Sequence, residues 1–450
     1  MSLDRTPGAL AAAAIATLAA ALIAPAQAQA QTSPAASPLH ARIAPVVAGM
    51  YPSLETLYKD LHAHPEIAFQ EVKTAARMAE ELRKLGFEVT EKIGGTGVVA
   101  IYRNGPGATV MVRTELDALP MEEKTGLPYA SKVKTDWNGR ETFVAHSCGH
   151  DIHMASWVGT ARTLLAVKDQ WKGTLMFVAQ PAEEGTSGAK AMIADGLFKR
   201  FPMPDYAFAL HTSPSPYGYV GYRVGAVTSN SDSMEITFKG QGGHGSAPDK
   251  TIDPIAIAAR FVTDVQTVVS REKDPAEFGV VTVGSIQGGT VGNIIPDTVV
   301  LRGTIRSYKP EVREKLLAGV RRTANAAAMM GGAPEPAVAL VPGGMAVVND
   351  EAVVGRTVVA LKAALGDAQV TAVPPITASE DFSEFVNAGV PSMFFFVGVS
   401  SPQEVADSRK PGGKPLAFNH SPFFAPVPEP SIKTGVEAMS VAVMTTLAVK

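Results

Sequence analysis

The chain has 450 residues, with 40 Lys and Arg, 43 Asp and Glu, nine His, one Cys and a formal charge of −3. Its 46% of hydrophobic and 18% of charged residues supply ample material for a buried core, which excludes a disordered chain. A balance near zero without a long basic run excludes nucleic acid as the main partner, and a single Cys excludes an internal disulfide framework.

Residues 9–25 form an almost purely apolar run ending in Pro25, followed by AQAQA, with small residues for cleavage after Ala28 or Ala30. Residues 1–30 therefore read as a secretory signal peptide, and an exported, periplasmic or secreted protein is expected. Residues 31–40, QTSPAASPLH, are rich in Pro, Ser and Ala and read as a linker. No later segment has 18 uninterrupted apolar residues, so no stable membrane span is expected after cleavage.

From Ala41 onward, helix and strand patterns alternate. Residues 72–87 place Met78, Leu82 and Leu85 at helical spacing and stop at Gly86. Residues 98–103 and 108–114 read as buried strands, 150–167 as a helix, 174–180 as a strand, 188–198 as a helix and 206–210 as a strand. This alternation predicts an α/β fold with a mostly parallel sheet covered by helices.

Near residue 222 the style changes. Strand 233–240, helix 253–272, strands 279–286 and 298–307, helix 310–330 and strand 335–341 give the order βαββαβ of a small α+β domain. After Gly343 come helices over 351–365 and 379–389, strand 391–399 and a last helix from Ser431. The expected organisation is a catalytic domain in two segments, 41–221 and 343–450, with a smaller lid or dimerisation domain, 222–342, inserted between them.

Four stretches carry metal-binding side chains where strands should end. They are RTELDALP with Glu115 and Asp117, HSCGHD with His146, Cys148, His150 and Asp151, QPAEEG with Glu183 and Glu184, and HTSP with His211. Near the C-terminus NHSPFF adds His420. Ligands of open α/β sheets gather at the carboxyl ends of strands. Thiolate, imidazole and carboxylate together suit a zinc-like divalent ion.

HSCGHDIHMA, RTELDALPMEE, QPAEEG, GGHGSAPDKTIDP, VGNIIPD, ASEDFS and NHSP together resemble the amidohydrolase branch of the co-catalytic dimetal metallopeptidases. That group includes aminoacylases, carboxypeptidase G, hippurate hydrolase and auxin-conjugate hydrolases. The resemblance runs from LHAHPEIAFQE (residues 61–71) to His420. It implies two divalent ions per subunit, held by Cys148 as the bridging ligand and by His150, Glu184, His211 and His420. Glu183 matches the general base and Asp117 a second catalytic carboxylate. His244 matches a residue that donates to the oxyanion, often in a partner subunit's site. Asn293 and Arg306 resemble substrate-holding groups, and a guanidinium is well shaped for a carboxylate. The resemblance also implies a homodimer and a small substrate, an N-acyl amino acid or a short peptide. Hydrolysis of an N-acyl amino acid is the first reading; a metallo-carboxypeptidase or dipeptidase is the alternative.

Three departures stand out. Glu115 replaces a frequent Asp, the residues after His420 lack the usual acidic ones, and Cys148 selects this branch over relatives with a bridging Asp. A thiolate favours zinc, with manganese, cobalt or nickel as alternatives. His62 and His64 read as packing or supporting residues, His153 as facing either the site or the core. Two rivals come from local patterns. GQGGHG over 240–245 matches a dinucleotide fingerprint, with Asp264 at about the expected distance, but no run of parallel βαβ units follows. GTSGA around Ser187 approaches a nucleophile elbow but ends in Ala.

Overall fold

The computed structural model describes residues 37–185 and 187–449, so the signal peptide read over 1–30 lies outside the described residues. Among the described residues no helix is long and apolar enough to cross a membrane. The first helix, Pro38–Ala63, starts inside the stretch read as a linker. Ser37 caps it by accepting the His40 amide at 3.2 Å, and Pro38 occupies the first turn, where its missing N–H costs nothing. Pro45 and Pro52 lie inside the helix, and they hide it from a reading based on periodicity and breakers.

The large sheet has eight strands in the order Glu88–Ile93, Gly97–Arg103, Thr174–Gln180, Thr109–Glu115, Tyr206–Pro216, Ser392–Ser400, Val220–Tyr222 and Val370–Ala372. Its four central strands are mutually parallel; Gly97–Arg103 joins them antiparallel on one side and Val220–Tyr222 on the other. The centre is covered on both faces, which is why these strands are apolar over most of their length, with polar residues gathered towards their carboxyl ends. Val110 and Val112 face a core shared with Ile43, Ile152, Val354 and Ile432 of four helices. Met111 between them points the other way, to Met192, Leu197 and Phe385. Gly159 lets three of those helices meet, since a Cβ there would lie 2.4 Å from Val436 and 2.9 Å from Leu54.

A second, wholly antiparallel sheet has the order Gly279–Gln287, Thr298–Ser307, Asp232–Lys239 and Ala337–Pro342. Helices Pro254–Thr267 and Pro310–Met330 complete the βαββαβ order, and Ile236, Phe261, Leu301 and Leu316 form its separate core.

Local departures from the sequence reading have local causes. The helix expected over 188–198 is two helices, Gly188–Ala194 and Leu197–Arg200, broken at Gly196 in the left-handed region. The helix expected over 379–389 shrinks to Ser383–Asn387 because Glu380 and Asp381 are drawn to a buried arginine. The strand expected to end at Leu210 continues as Tyr206–Pro216, so His211 lies within it. The last helix starts earlier, at Pro428.

Candidate active site

Cys148, His150, Glu183, Glu184, His211 and His420 come together at the carboxyl ends of the central strands, although 272 positions separate the first from the last. One potential metal-holding group is Cys148, His150 and His211, and a second is Cys148, Glu184 and His420. In each, the donor atoms lie within 4.8 Å of one another, and Cys148 is common to both. His420 Nε2 stands 3.3 Å from a Glu184 oxygen, and Cys148 Sγ stands 3.4 Å from His211 Nε2.

Hydrogen bonding fixes which atoms face this volume. His150 Nδ1 donates to the Asp117 carbonyl at 2.7 Å and His211 Nδ1 to the Thr212 carbonyl at 2.8 Å. Both imidazoles therefore present an Nε2 lone pair. His150 Nε2 and Glu184 Oε1 are buried with no hydrogen-bond partner among the described residues. Burial pushes the Cys148 thiol and the Glu183 carboxyl well up, and brings Glu184 up to about 7. Burial drives His150 well down and His211 down to about 3. Lone pairs crowded together with no cationic side chain hydrogen-bonded to them among the described residues are the electrostatics of a cation site; a bound divalent ion would bring the thiol and carboxyl values down and hold the imidazoles neutral. The donor set thus fits the two divalent ions implied by the resemblance.

Several devices hold the ring. Gly149 is left-handed, and a Cβ there would meet Thr212 Oγ1 at 2.5 Å. Thr212 Oγ1 donates to the Cys148 carbonyl at 2.9 Å and accepts from Asn419 Nδ2 at 3.2 Å; Asn419 also donates to that carbonyl at 2.9 Å. One hydroxyl thereby ties together the segments that carry Cys148, His211 and His420. His420 is itself left-handed, held by its amide donating to the Ser147 carbonyl at 2.7 Å. Asp117 accepts the amides of Glu183 at 3.0 Å and Glu184 at 2.9 Å, one on each oxygen. It positions the glutamate pair and does not point into the ring.

Behind the ring lies a charged network that the sequence reading missed. Arg113 is wholly buried and donates to Gln180 at 2.9 Å, Glu380 at 2.8 Å, Asp381 at 3.1 Å and Glu115. Glu115 also accepts from His153 Nδ1 at 2.9 Å, and His153 Nε2 accepts the Thr212 amide at 2.8 Å. Burial opposes ionisation of Glu115, but Arg113 and His153 hold its carboxyl below the usual range. His153 thus faces the site from behind, and the longer arm of Glu115 spans Arg113 and His153. The only signal of this network in the sequence is ASEDFS, whose adjacent acids lie inside a mixed polar and apolar run.

The remaining candidates lie elsewhere. Asp151 turns away from the ring to His62 Nδ1 at 2.6 Å, while His62 Nε2 meets Glu123 at 3.1 Å. Burial opposes the charge on His62, but these two carboxylates outweigh it and push its pKa up to about 10. His146 is buried, with neither ring nitrogen partnered among the described residues. His64 is exposed beside Asp60, and His40 joins Glu437 at 3.1 Å. A cavity of about 770 Å³ opens over the ring, and Arg306 lines it, donating to the Thr377 carbonyl at 3.4 Å. His244 and Asn293 are not in its wall. They sit side by side on the surface, where Gly243–His244 pairs with Ile294–Ile295 and the Gly245 amide donates to the Asn293 carbonyl. The GQGGHG stretch is this short ribbon, not a turn opening a helix, and Ser187 precedes a helix rather than following a strand.

Residues 111–443 match the model of peptidase family M20/M25/M40, and the chain belongs to that family of metal-dependent hydrolases acting on amide or peptide bonds. It is 37% identical over 345 residues to thermostable carboxypeptidase 2 of Saccharolobus solfataricus, covering 76% of this chain and 84% of that protein. It is 39% identical over 272 residues to the hippurate hydrolase of Campylobacter jejuni subsp. jejuni serotype O:2, covering 60% and 68% respectively. Among solved structures it is similar to the YXEP protein of Bacillus subtilis, a dinuclear metal-binding peptidase of the M20 family, with a TM-score of 0.72 at 29% identity, covering 89% of this chain and 99% of that one.

Two expectations follow from this geometry. Thr212→Val keeps the shape but removes the hydroxyl, so metal affinity measured by chelator competition should fall about 10- to 100-fold, with Thr212→Ser near wild type; an unchanged affinity contradicts the tie. His62 is protonated to about pH 10 when folded but only to about 6.5 when unfolded, so its stabilisation is complete below 6.5 and is lost as pH rises towards 10. Denaturant unfolding across that window should show this decline in wild type and lack it in His62→Gln; parallel profiles contradict it.

Proposed function

We propose that the protein is an exported amidohydrolase that adds water across the amide of an N-acyl amino acid, releasing a carboxylic acid and an amino acid. The observation that carries this reading is the pair of donor groups sharing Cys148, with Glu183 beside them and a cavity leading to Arg306. Cys148, His150 and His211 would hold one ion, and Cys148, Glu184 and His420 the other. Zinc suits the thiolate and imidazole donors best. When bound there, such ions would supply Lewis acidity towards water and the amide carbonyl.

The protein's own groups do the rest. Glu183 is buried, with one oxygen 3.9 Å from His150 Nε2, and Asp117 fixes its backbone. Asp117 also binds the amide of Glu184, so the ligand and the base are presented by adjacent residues on one clamped loop. Glu183 belongs to neither of the two donor groups that share Cys148, which leaves its carboxylate to take a proton from water and pass it to the departing nitrogen. Arg306 receives the substrate carboxylate. The surface ribbon carrying His244 and Asn293 serves the site of a second copy in a homodimer. The apolar run over residues 9–25 is the support for export.

A second reading, a carboxypeptidase or dipeptidase, has support in the similarity to the carboxypeptidase of S. solfataricus, since Arg306 suits a peptide C-terminus equally. Benzoyl-, acetyl- and long-chain-acyl amino acids set against free dipeptides on the metal-loaded protein separate the two. Turnover of acyl amino acids is expected to dominate, and turnover confined to free peptides overturns the first reading. Glu183→Gln should retain both ions and lose about 10³-fold in kcat, whereas Cys148→Ala should lose metal and activity together. A nearly active Glu183→Gln protein, or a fully metallated Cys148→Ala protein, contradicts the assigned roles.

A further inference from the structure

The cavity has a second character away from the metal donors. Across one face of the sheet, His211 is registered with Phe396, Phe396 with Gly221, and Gly221 with Thr371. These residues share a face, so the floor of the cavity passes from a metal-type ligand to an aromatic ring and then to a bare backbone. Phe394, two residues before Phe396, lies on the same face, with its ring 6.3 Å from His211 and 5.7 Å edge-on from Phe396. Val373 and Tyr219 flank these rings in the cavity wall, and the Tyr219 hydroxyl is taken up by Thr371 Oγ1, so its ring is what the cavity meets. A Cβ on Gly221 would lie 2.9 Å from Val373, 3.5 Å from Phe396 and 3.6 Å from Tyr219. Any side chain there is hemmed in by these three and must fill the arm.

Tyr219, Gly221, Val373, Phe394 and Phe396 carry no charge. Of the two halves of an N-acyl amino acid, the amino-acid half bears a carboxylate and needs a cation, which Arg306 supplies in the cavity wall beside Thr377. The arm is therefore complementary to the other half. We propose that this arm is the acyl-group subsite, that it takes a flat aromatic acyl group in preference to acetyl, and that Gly221 sets its depth. The proposal rests on the amidohydrolase reading above. The physical basis is the offset or edge-to-face packing available to a ring among Phe394, Phe396 and Tyr219, where acetyl leaves most of that surface unburied.

The test compares N-benzoyl and N-acetyl derivatives of one amino acid, with wild type and Gly221→Val both loaded with zinc. Since one methylene in an apolar pocket is worth about 10- to 200-fold, wild type should favour benzoyl by at least about 10-fold in kcat/KM. Gly221→Val should lower that ratio about 10-fold or more, at unchanged metal content. Phe396→Leu, which removes the ring without filling the arm, should lower it in the same direction and serves if the valine variant does not fold. Calorimetric binding of benzoate and acetate gives a readout without turnover: benzoate should bind about 10-fold tighter to wild type than to Gly221→Val, with acetate equal. Benzoate discrimination without acyl amino-acid turnover would refute the amidohydrolase reading and leave the subsite standing. A wild type that prefers acetyl, or variants that keep the wild-type benzoyl to acetyl ratio and benzoate affinity, overturns the subsite.

Discussion

Everything in this molecule turns on a concentration of buried lone pairs that the protein does not neutralise from its own side chains. His150 and His211 each spend Nδ1 on a backbone carbonyl and turn Nε2 inward. Cys148 lies between the two donor groups, and Glu184 keeps one buried oxygen without a partner. A buried polar atom left unpaired costs about 1–3 kcal/mol, so an arrangement that collects several is destabilising until a cation occupies it. The carboxylates immediately behind are treated in the opposite way. Glu115, Glu380 and Asp381 close on Arg113, one guanidinium for three carboxyls, so Glu115 is held ionised while burial still brings Glu380 up to about 7 and Asp381 up to about 6. Two electrostatic problems thus sit back to back, one answered in part by an arginine and the other left for metal.

The fold brings this about by ending parallel strands at one edge. Glu115, the Glu183–Glu184 loop and His211 follow from three adjacent strands, and the helix His150–Ala166 begins at the same level. Backbone conformations that side chains rarely adopt, at Ala182 and His420, mark where the loops are bent to aim their groups inward. Thr212 then ties the His420 bend to the Cys148 segment, and Asp117 holds the loop after Ala182. Such rigidity matters to the chemistry, because a base and a water must be held in register before reaction begins.

The ring was legible in the sequence because its members are chemically unusual residues following apolar strands: a lone cysteine, paired glutamates and histidines beside small residues. The α/β alternation and the βαββαβ order were legible for the same kind of reason, namely periodicity. What supports the ring was not. Arg113 reads as a charge at the end of a buried strand, and nothing local says that Glu380 and Asp381, 267 and 268 positions later, will meet it. Thr212 is one ordinary threonine among many. The helix Pro38–Ala63 contains two prolines that normally argue against a helix, and its apolar face overrides them by packing against helices His150–Ala166 and Pro428–Leu447. His244 and Asn293 belong to recognisable motifs, yet sequence resemblance carries no information on which surface of a single chain they occupy.

Diffraction from metal-loaded crystals at the absorption edge of the bound ion tests the central claim most directly. The account predicts two anomalous peaks per chain, each about 2.3 Å from Cys148 Sγ if the ion is zinc, one beside His150 and His211 and the other beside Glu184 and His420. A single peak, or two peaks that leave Cys148 outside bonding distance of either, contradicts it.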